Sequence, residues 1–165
     1  MAKQLFICRH AKSDWGDAGL RDFDRPLNKR GQSNAPEMAQ RLIKQNIYPE
    51  LVVSSPALRA LTTAKHYAQA WQIPADAIQL EREIYEANVS SLLALINGFD
   101  NQYQKIAVFG HNPGFTDLVN YFDGHIYNLP TSGVVILEFP FDSWAELSAN
   151  TGKVLLFDYP KSIDD

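Results

Sequence analysis

Leu5-Phe6-Ile7-Cys8-Arg9-His10 is a short apolar run that stops at an arginine and a histidine. It reads as a buried strand that delivers two polar side chains to its exit. Histidine can serve as nucleophile, base or acid near neutral pH. Arginine is always charged, and its planar fork suits phosphate oxygens. Together at a strand end the two residues point to phosphoryl chemistry.

Outward from this strand, the chain alternates helical and extended patterns. Ala35, Met38, Ala39, Leu42 and Ile43 recur at helical spacing and predict an amphipathic helix. Pro36 is tolerated there only in a first turn, or else it kinks a helix that begins near Gly31. A short strand over 51–53 precedes Ser55-Pro56, which reads as an N-cap followed by proline at the first helical position of a helix ending near Trp71. Residues 77–80 predict another strand. Ser90 is the expected cap of a helix using Leu92, Leu93, Ile96 and Phe99, with Gly98 near its end. A buried strand over 106–109 leads to a helix built on Phe115, Leu118, Val119 and Phe122, and strands over 134–139 and 154–157 follow. No repeat, low-complexity segment or linker interrupts the series. The expected fold is α/β: a single three-layer α/β/α domain, 1–165, with a mostly parallel central sheet.

Composition agrees. The chain has 165 residues, enough for one domain with a sizeable core. Its 45% hydrophobic and 21% charged residues are ordinary for a globular protein and argue against disorder. A net charge of -4 gives no footprint for nucleic acid or an anionic membrane, so a phosphate site has to be a local basic pocket. The opening Met1-Ala2-Lys3-Gln4 lacks the pattern of a signal peptide, and no stretch approaches membrane-spanning length, so a cytoplasmic location is expected. Cys8 is the only cysteine, which rules out an internal disulfide or a multi-cysteine metal site.

In open parallel sheets, ligands bind beyond the carboxyl ends of the strands, where helix N-termini also point. Three segments lie at such ends. Arg9-His10-Ala11-Lys12-Ser13 is one; its Arg-His pair taken alone is an ordinary surface motif. Ser54-Ser55-Pro56-Ala57-Leu58-Arg59 is the second. Arg59 near a helix N-terminus opposes the helix dipole, so something anionic should compensate, either a nearby carboxylate or a ligand. The third is Gly110-His111-Asn112-Pro113-Gly114, a tight loop whose glycines would let backbone approach a ligand.

With all three in order, the chain resembles the histidine phosphatase superfamily, which includes phosphoglycerate mutases and acid phosphatases. Within it the chain is most similar to the small SixA-type phosphohistidine phosphatases. Thr62-Thr63-Ala64, Asp24-Arg25-Pro26-Leu27, Arg30-Gly31 and Tyr85-Glu86-Ala87 add to the likeness, which runs from Leu5 to about Phe139. The resemblance implies a phosphoglycerate mutase-like fold and makes His10 the nucleophile, attacking phosphorus in line to form a transient phosphohistidine that water hydrolyses. Arg9, Arg59 and His111 are then phosphate-binding and catalytic, and Ser13 and Asn112 are further candidate contacts. Arg25 and Arg30 are candidates to recruit anionic substrate at the rim. The physical chemistry agrees: positive charges beside His10 disfavour its protonation, and arginines neutralise the equatorial oxygens of the transition state.

For the proton donor, the resemblance points to the region of Glu83 and Glu86, with Glu83 preferred and an ordinary exposed glutamate as the alternative for either. A phosphohistidine substrate leaves as imidazole and demands less of such an acid. No cofactor is implied and no metal-ligand spacing is present; His66 and His125 read as surface or structural. Ala11 replaces the superfamily's usual glycine after Arg-His, and the asparagine found a few residues later in mutases is absent. The long insertions that shape the mutases' sugar-acid pocket are also missing, which leaves an open site.

The expected function is a phosphatase acting on phosphohistidine in proteins. A small-molecule phosphomonoesterase is the alternative enzyme. A regulatory module that binds a phosphorylated partner without turnover is the alternative of another class, and an intact His10 argues against it. A cysteine phosphatase is excluded because position 14, where its arginine would stand, is Asp14. No Walker-type glycine loop is present. The sequence carries no signal for oligomeric state.

Overall fold

The structure, a computed structural model, describes residues 2–124 and 126–160. Its strands are β1 (Lys3–Arg9), β2 (Leu51–Ser54), β3 (Gln79–Leu80), β4 (Lys105–Gly110), β5 (Val134–Phe139) and β6 (Lys153–Asp158). Its α-helices are α1 (Lys29–Lys44), α2 (Leu58–Ala70), α3 (Val89–Asn97) and α4 (Gly114–Phe122). The strands form one sheet in the order β3-β2-β4-β1-β5-β6. Pairings among β1 to β4 are parallel, and β5 and β6 add antiparallel pairs at one edge.

The apolar run of β1 explains the layering. Successive side chains of a strand point to opposite faces. Leu5 and Ile7 enter a core with Leu92 and Ile96 of α3 and Phe115, Leu118 and Phe122 of α4. Phe6 and Cys8 enter the opposite core, with Met38 and Leu42 of α1 and Ala64 and Tyr67 of α2. All four of these β1 residues are fully buried, so the sheet is covered on both faces, as parallel sheets require. The three-layer α/β/α expectation holds.

Several boundaries differ from the sequence reading. Helix α1 starts at Lys29, capped by Asn28, whose side chain accepts the Gly31 N–H at 2.8 Å. Pro36 therefore lies inside the helix, beyond the first turn, where its ring removes one intrahelical hydrogen bond. Asn28 was missed as the cap because the apolar periodicity begins only at Ala35. Helix α3 is likewise capped by Asn88, which accepts the Ser91 N–H, and not by Ser90. The strand expected over 77–80 shrinks to Gln79–Leu80 behind a 3-10 turn at Ala75–Ala77. Helix α2 begins at Leu58, so Ser55 is not its N-cap; that hydroxyl is used elsewhere, as described below.

Strand β4 lies between β1 and β2, so the carboxyl ends of all three are neighbours. The backbone locks them together: His10 N–H donates to Gly110 O at 3.0 Å and Ser55 N–H to Phe109 O at 2.9 Å. This crossover brings three segments far apart in sequence to one edge.

Candidate active site

Beyond these strand ends lies a pocket of about 600 Å³, whose wall includes Arg9, His10, Ser13, Asp22, Arg25, Arg59, His111 and Asn112. The expected residues of all three segments are thus assembled around one space. His10 is 7% exposed, Arg59 6% and His111 8%, so their polar groups are set in a largely dry wall.

His10 is held by its own neighbour. Its Nδ1 lies 2.7 Å from the carbonyl oxygen of Ala11, an acceptor only, so Nδ1 carries the proton and donates it. Nε2 is left with its lone pair. Ala11 is fixed in turn by α2: its N–H donates to Thr63 Oγ1 at 2.9 Å, and the Thr63 hydroxyl donates to Arg59 O at 2.7 Å. Thr63 therefore ties the histidine loop to the helix carrying Arg59. Sequence reasoning placed Thr63 only among family-like residues; a threonine on the sheet-facing side of α2's first two turns was the available signal. Burial pushes the His10 imidazole down to about 4; the Ala11 contact opposes this shift, and the charges of Arg59, Arg9 and Arg25 add to it. At neutral pH His10 is an uncharged imidazole with a free Nε2.

His111 sits beside it, with ring centroids 5.3 Å apart. Its Nε2 is 2.8 Å from Ser55 Oγ, and that oxygen accepts the Ala57 N–H at 3.2 Å; with the Ser55 hydroxyl donating to Nε2, the ring proton sits on Nδ1. The serine expected to cap a helix instead orients a histidine. Burial, followed by the proximity of His10 and Arg59, pushes His111 down to about 3, so it too is neutral. Its Nδ1 is buried without a partner, as are Arg9 Nε and Arg59 Nε.

The arginines are braced by groups outside their own segments. Arg9 Nη1 donates to Leu129 O at 3.0 Å. Arg59 donates twice to Asp22, from Nη1 to the backbone oxygen at 2.7 Å and from Nη2 to Oδ2 at 3.0 Å. Arg25 also donates to Asp22, from Nε at 3.1 Å and Nη2 at 2.9 Å, and its Nη1 donates to Ser13 Oγ. The exposed Trp15 ring covers the Arg25 guanidinium at 3.5 Å. Arg25 is thus 6% exposed, built into the wall and not a loose rim cation.

Asp22 is the residue that sequence reading missed. Its carboxylate answers the compensation that Arg59 required, and Tyr85 O–H donates to its Oδ2 at 2.7 Å. Partial desolvation raises the Asp22 carboxyl, but hydrogen bonds from Tyr85, Arg25 and Arg59 outweigh it and hold the group well below the usual carboxylate range. Tyr85 is pushed up to about 12, first by desolvation and then by that same carboxylate, so it stays a donor at neutral pH. The acidic pair Asp22 and Asp24 close to Arg25 was the visible signal.

The other candidates are placed differently. Asn112 lines the pocket, yet its side chain is engaged: Nδ2 donates to Asn128 Oδ1 and Leu129 O, and Oδ1 accepts from the N–H and hydroxyl of Thr116. Glu83 lies exposed on the 3-10 turn Arg82–Ile84 and not on the pocket wall. Glu86 lines an adjoining cavity that shares His111 and Asn112. The space beside the loop glycines is filled by protein and not left to a ligand: a Cβ on Gly110 would meet the Phe115 ring at 2.5 Å, and one on Gly114 would strike Ala87 O. His66 contacts Gln32 Oε1 at 3.0 Å on the surface, and His125 lies outside the described residues. Among the described residues no group of three His, Cys, Asp or Glu side chains could hold a metal ion, and no helix is long and apolar enough to cross a membrane.

Comparison with known proteins agrees with this geometry. Residues 5–108 match the model of the histidine phosphatase superfamily (branch 1), and the chain belongs to that family. A SixA structure from Agrobacterium tumefaciens, to which phosphohistidine phosphatase activity is attributed, superposes with a TM-score of 0.81 at 27% identity, covering 96% of this chain and 98% of that one. A protein histidine phosphatase SixA complexed with tungstate has the same fold, with a TM-score of 0.81 at 23% identity over 97% of this chain and 99% of that one. An uncharacterized chloroplastic protein of Arabidopsis thaliana is 29% identical over 92% of this chain and 73% of its own length. Family membership and the Agrobacterium tumefaciens neighbour support a phosphatase activity.

Proposed function

We propose that this protein removes phosphate from phosphohistidine in proteins, with His10 as the nucleophile. The observation that carries the reading is the state of His10: neutral, its Nδ1 donating to Ala11 O, and its Nε2 unengaged in a pocket lined by three arginines. Such a nitrogen can attack phosphorus directly. The P–N bond to His10 forms as the bond to the leaving group breaks, and water then attacks the same phosphorus to release orthophosphate and restore His10. Arg9, Arg59 and His111 supply donors to the phosphoryl oxygens, where most of the catalysis of phosphoryl transfer resides. Ser13 acts through Arg25, whose guanidinium it accepts from, and Asn112 shapes the loop around His111.

The acids around the pocket support this substrate class. The carboxyl groups on its wall are Asp14, which is exposed and accepts the Gly16 N–H, and Asp22, which is ionised. Glu83 and Glu86 stand outside this wall. None of these four side chains is buried, as a carboxyl kept protonated to serve an alkoxide would be. Imidazole leaves well once protonated from solvent, so a phosphoramidate suits the site better than an alkyl ester. The test is a side-by-side assay of a phosphohistidine protein and a panel of sugar phosphates. We expect kcat/KM on phosphohistidine to exceed that on every alkyl ester; a sugar phosphate turned over faster would overturn the substrate assignment. Phosphate-dependent binding without release of inorganic phosphate would overturn the enzymatic reading altogether.

A further inference from the structure

Next to the phosphate pocket lies a second cavity of about 200 Å³. Lys12, Arg30, Asn34 and Thr131 form its polar wall, and Pro130 and Tyr159 line it as well. Lys12 and Thr131 belong to both spaces, so the cavity adjoins the pocket, and it shares no lining residue with the cavity at Glu86.

Among the described residues its two cations have no carboxylate partner. Arg21, Arg25, Arg41 and Arg59 each pair with an aspartate or glutamate, whereas Lys12 and Arg30 pair with none among the described residues. Both side chains are exposed, and Arg30 also stands at a helix start. Lys29 and Arg30 open α1, whose first turn has no acidic residue, so both charges oppose the helix dipole without compensation. The backbone of Lys12 is held against the same turn: Lys12 O accepts the Asn28 N–H at 3.0 Å, and Gly31 has no room for a Cβ beside that oxygen. Two cations with no carboxylate partner among the described residues thus line one small cavity beside the phosphate site, with the Lys12 backbone held against the start of α1.

We infer that this cavity is a leaving-group subsite that takes a second anionic group of the substrate, a carboxylate or a phosphate. The inference rests on the phosphatase reading above and extends it: the transferred phosphoryl group occupies the pocket at His10, and the attached leaving group places its own anion between Lys12 and Arg30. The anion can belong to a small phosphomonoester or to an acidic residue flanking phosphohistidine in a protein.

Arg30 lines the cavity but not the phosphate pocket, which makes R30E the informative variant. One arm measures kcat/KM on aryl phosphates carrying a carboxylate or an aminomethyl group, and the other on phosphohistidine peptides with glutamate or lysine beside the phosphorylated residue. Wild type is expected to prefer the anionic member of at least one pair. In R30E that anionic-to-cationic ratio should fall about tenfold through improved turnover of the cationic member as well as loss on the anionic one, and 0.5 M salt should shrink the difference. A gain on the cationic substrate cannot come from misfolding. The arm in which the ratio moves identifies the source of the anion. Ratios unchanged by R30E in both arms would overturn the subsite while leaving the phosphatase reading intact. Absence of any His10-dependent hydrolysis would overturn both.

Discussion

Asp22 and Arg59 meet twice, through the aspartate's backbone oxygen at 2.7 Å and its carboxylate at 3.0 Å. Asp22 therefore sets where both outer nitrogens of the guanidinium point, its carboxylate holding Nη2, and Nε is the nitrogen left without a partner. Because Asp22 also anchors Arg25 and Tyr85, one side chain positions three groups of the pocket. Asp22→Asn keeps the shape but removes the charge. We expect kcat to fall about tenfold with a smaller change in KM, since a misaimed arginine loses most where charge develops. Steady-state kinetics on an aryl phosphate check this; a rise in KM with kcat unchanged would show that Asp22 serves binding alone.

The two histidines predict how stability responds to acid. His10 titrates near 4 and His111 near 3 in the folded protein, against about 6.5 when unfolded. The unfolded chain therefore takes up protons on both as pH drops below about 6.5, and the folded chain does not until about pH 4. The stability they contribute is complete above pH 6.5 and is lost as pH falls toward the folded values, by up to about 1.4 kcal/mol per pH unit for each histidine. Asp22, held low, acts in the same direction but only below its unfolded value of about 3.8, outside this window. Urea unfolding at pH 6.5, 5.5 and 4.5 should show the decline, and a His10→Gln/His111→Gln double variant should flatten it. An equal slope in that variant would contradict the neutral buried pair.

Gly31 carries a prediction that runs against helix propensity. Replacing an interior helical glycine by alanine ordinarily stabilises by roughly 0.5–1 kcal/mol. Here a Cβ would collide with Lys12 O, a backbone atom that cannot swing away. Gly31→Ala should instead destabilise by about 1–3 kcal/mol and lower activity by displacing the segment next to His10. Thermal unfolding decides the sign; a stabilised variant would mean that the Lys12 segment yields freely.

Much of this site was legible in the chain because its chemistry is concentrated at strand ends. The apolar runs before Arg9, Ser54 and Gly110 mark buried strands, and His10, Arg59 and His111 in the segments that follow line the pocket. The crossover that puts β4 between β1 and β2 turns those three positions into neighbours, and only the alternation of elements hinted at it. Asp22 was not legible as a site residue because it lies in a loop without periodicity, and its role depends on where Arg59 arrives. Ser55 was misread for a related reason: Ser-Pro is a strong local helix start, but the nearby imidazole of His111 outweighs capping. The glycines of the third loop were read as room for a ligand, whereas Phe115 and Ala87 occupy that room.

The central claim is that His10 Nε2 attacks phosphorus. His10→Ala should lower aryl phosphate hydrolysis by about a thousandfold or more with an unchanged far-ultraviolet spectrum. Acid-labile phosphate trapped by rapid mixing at alkaline quench should map to His10 in the wild type and vanish in the variant. Turnover near that of the wild type in His10→Ala, or labelling that persists without His10, would contradict it.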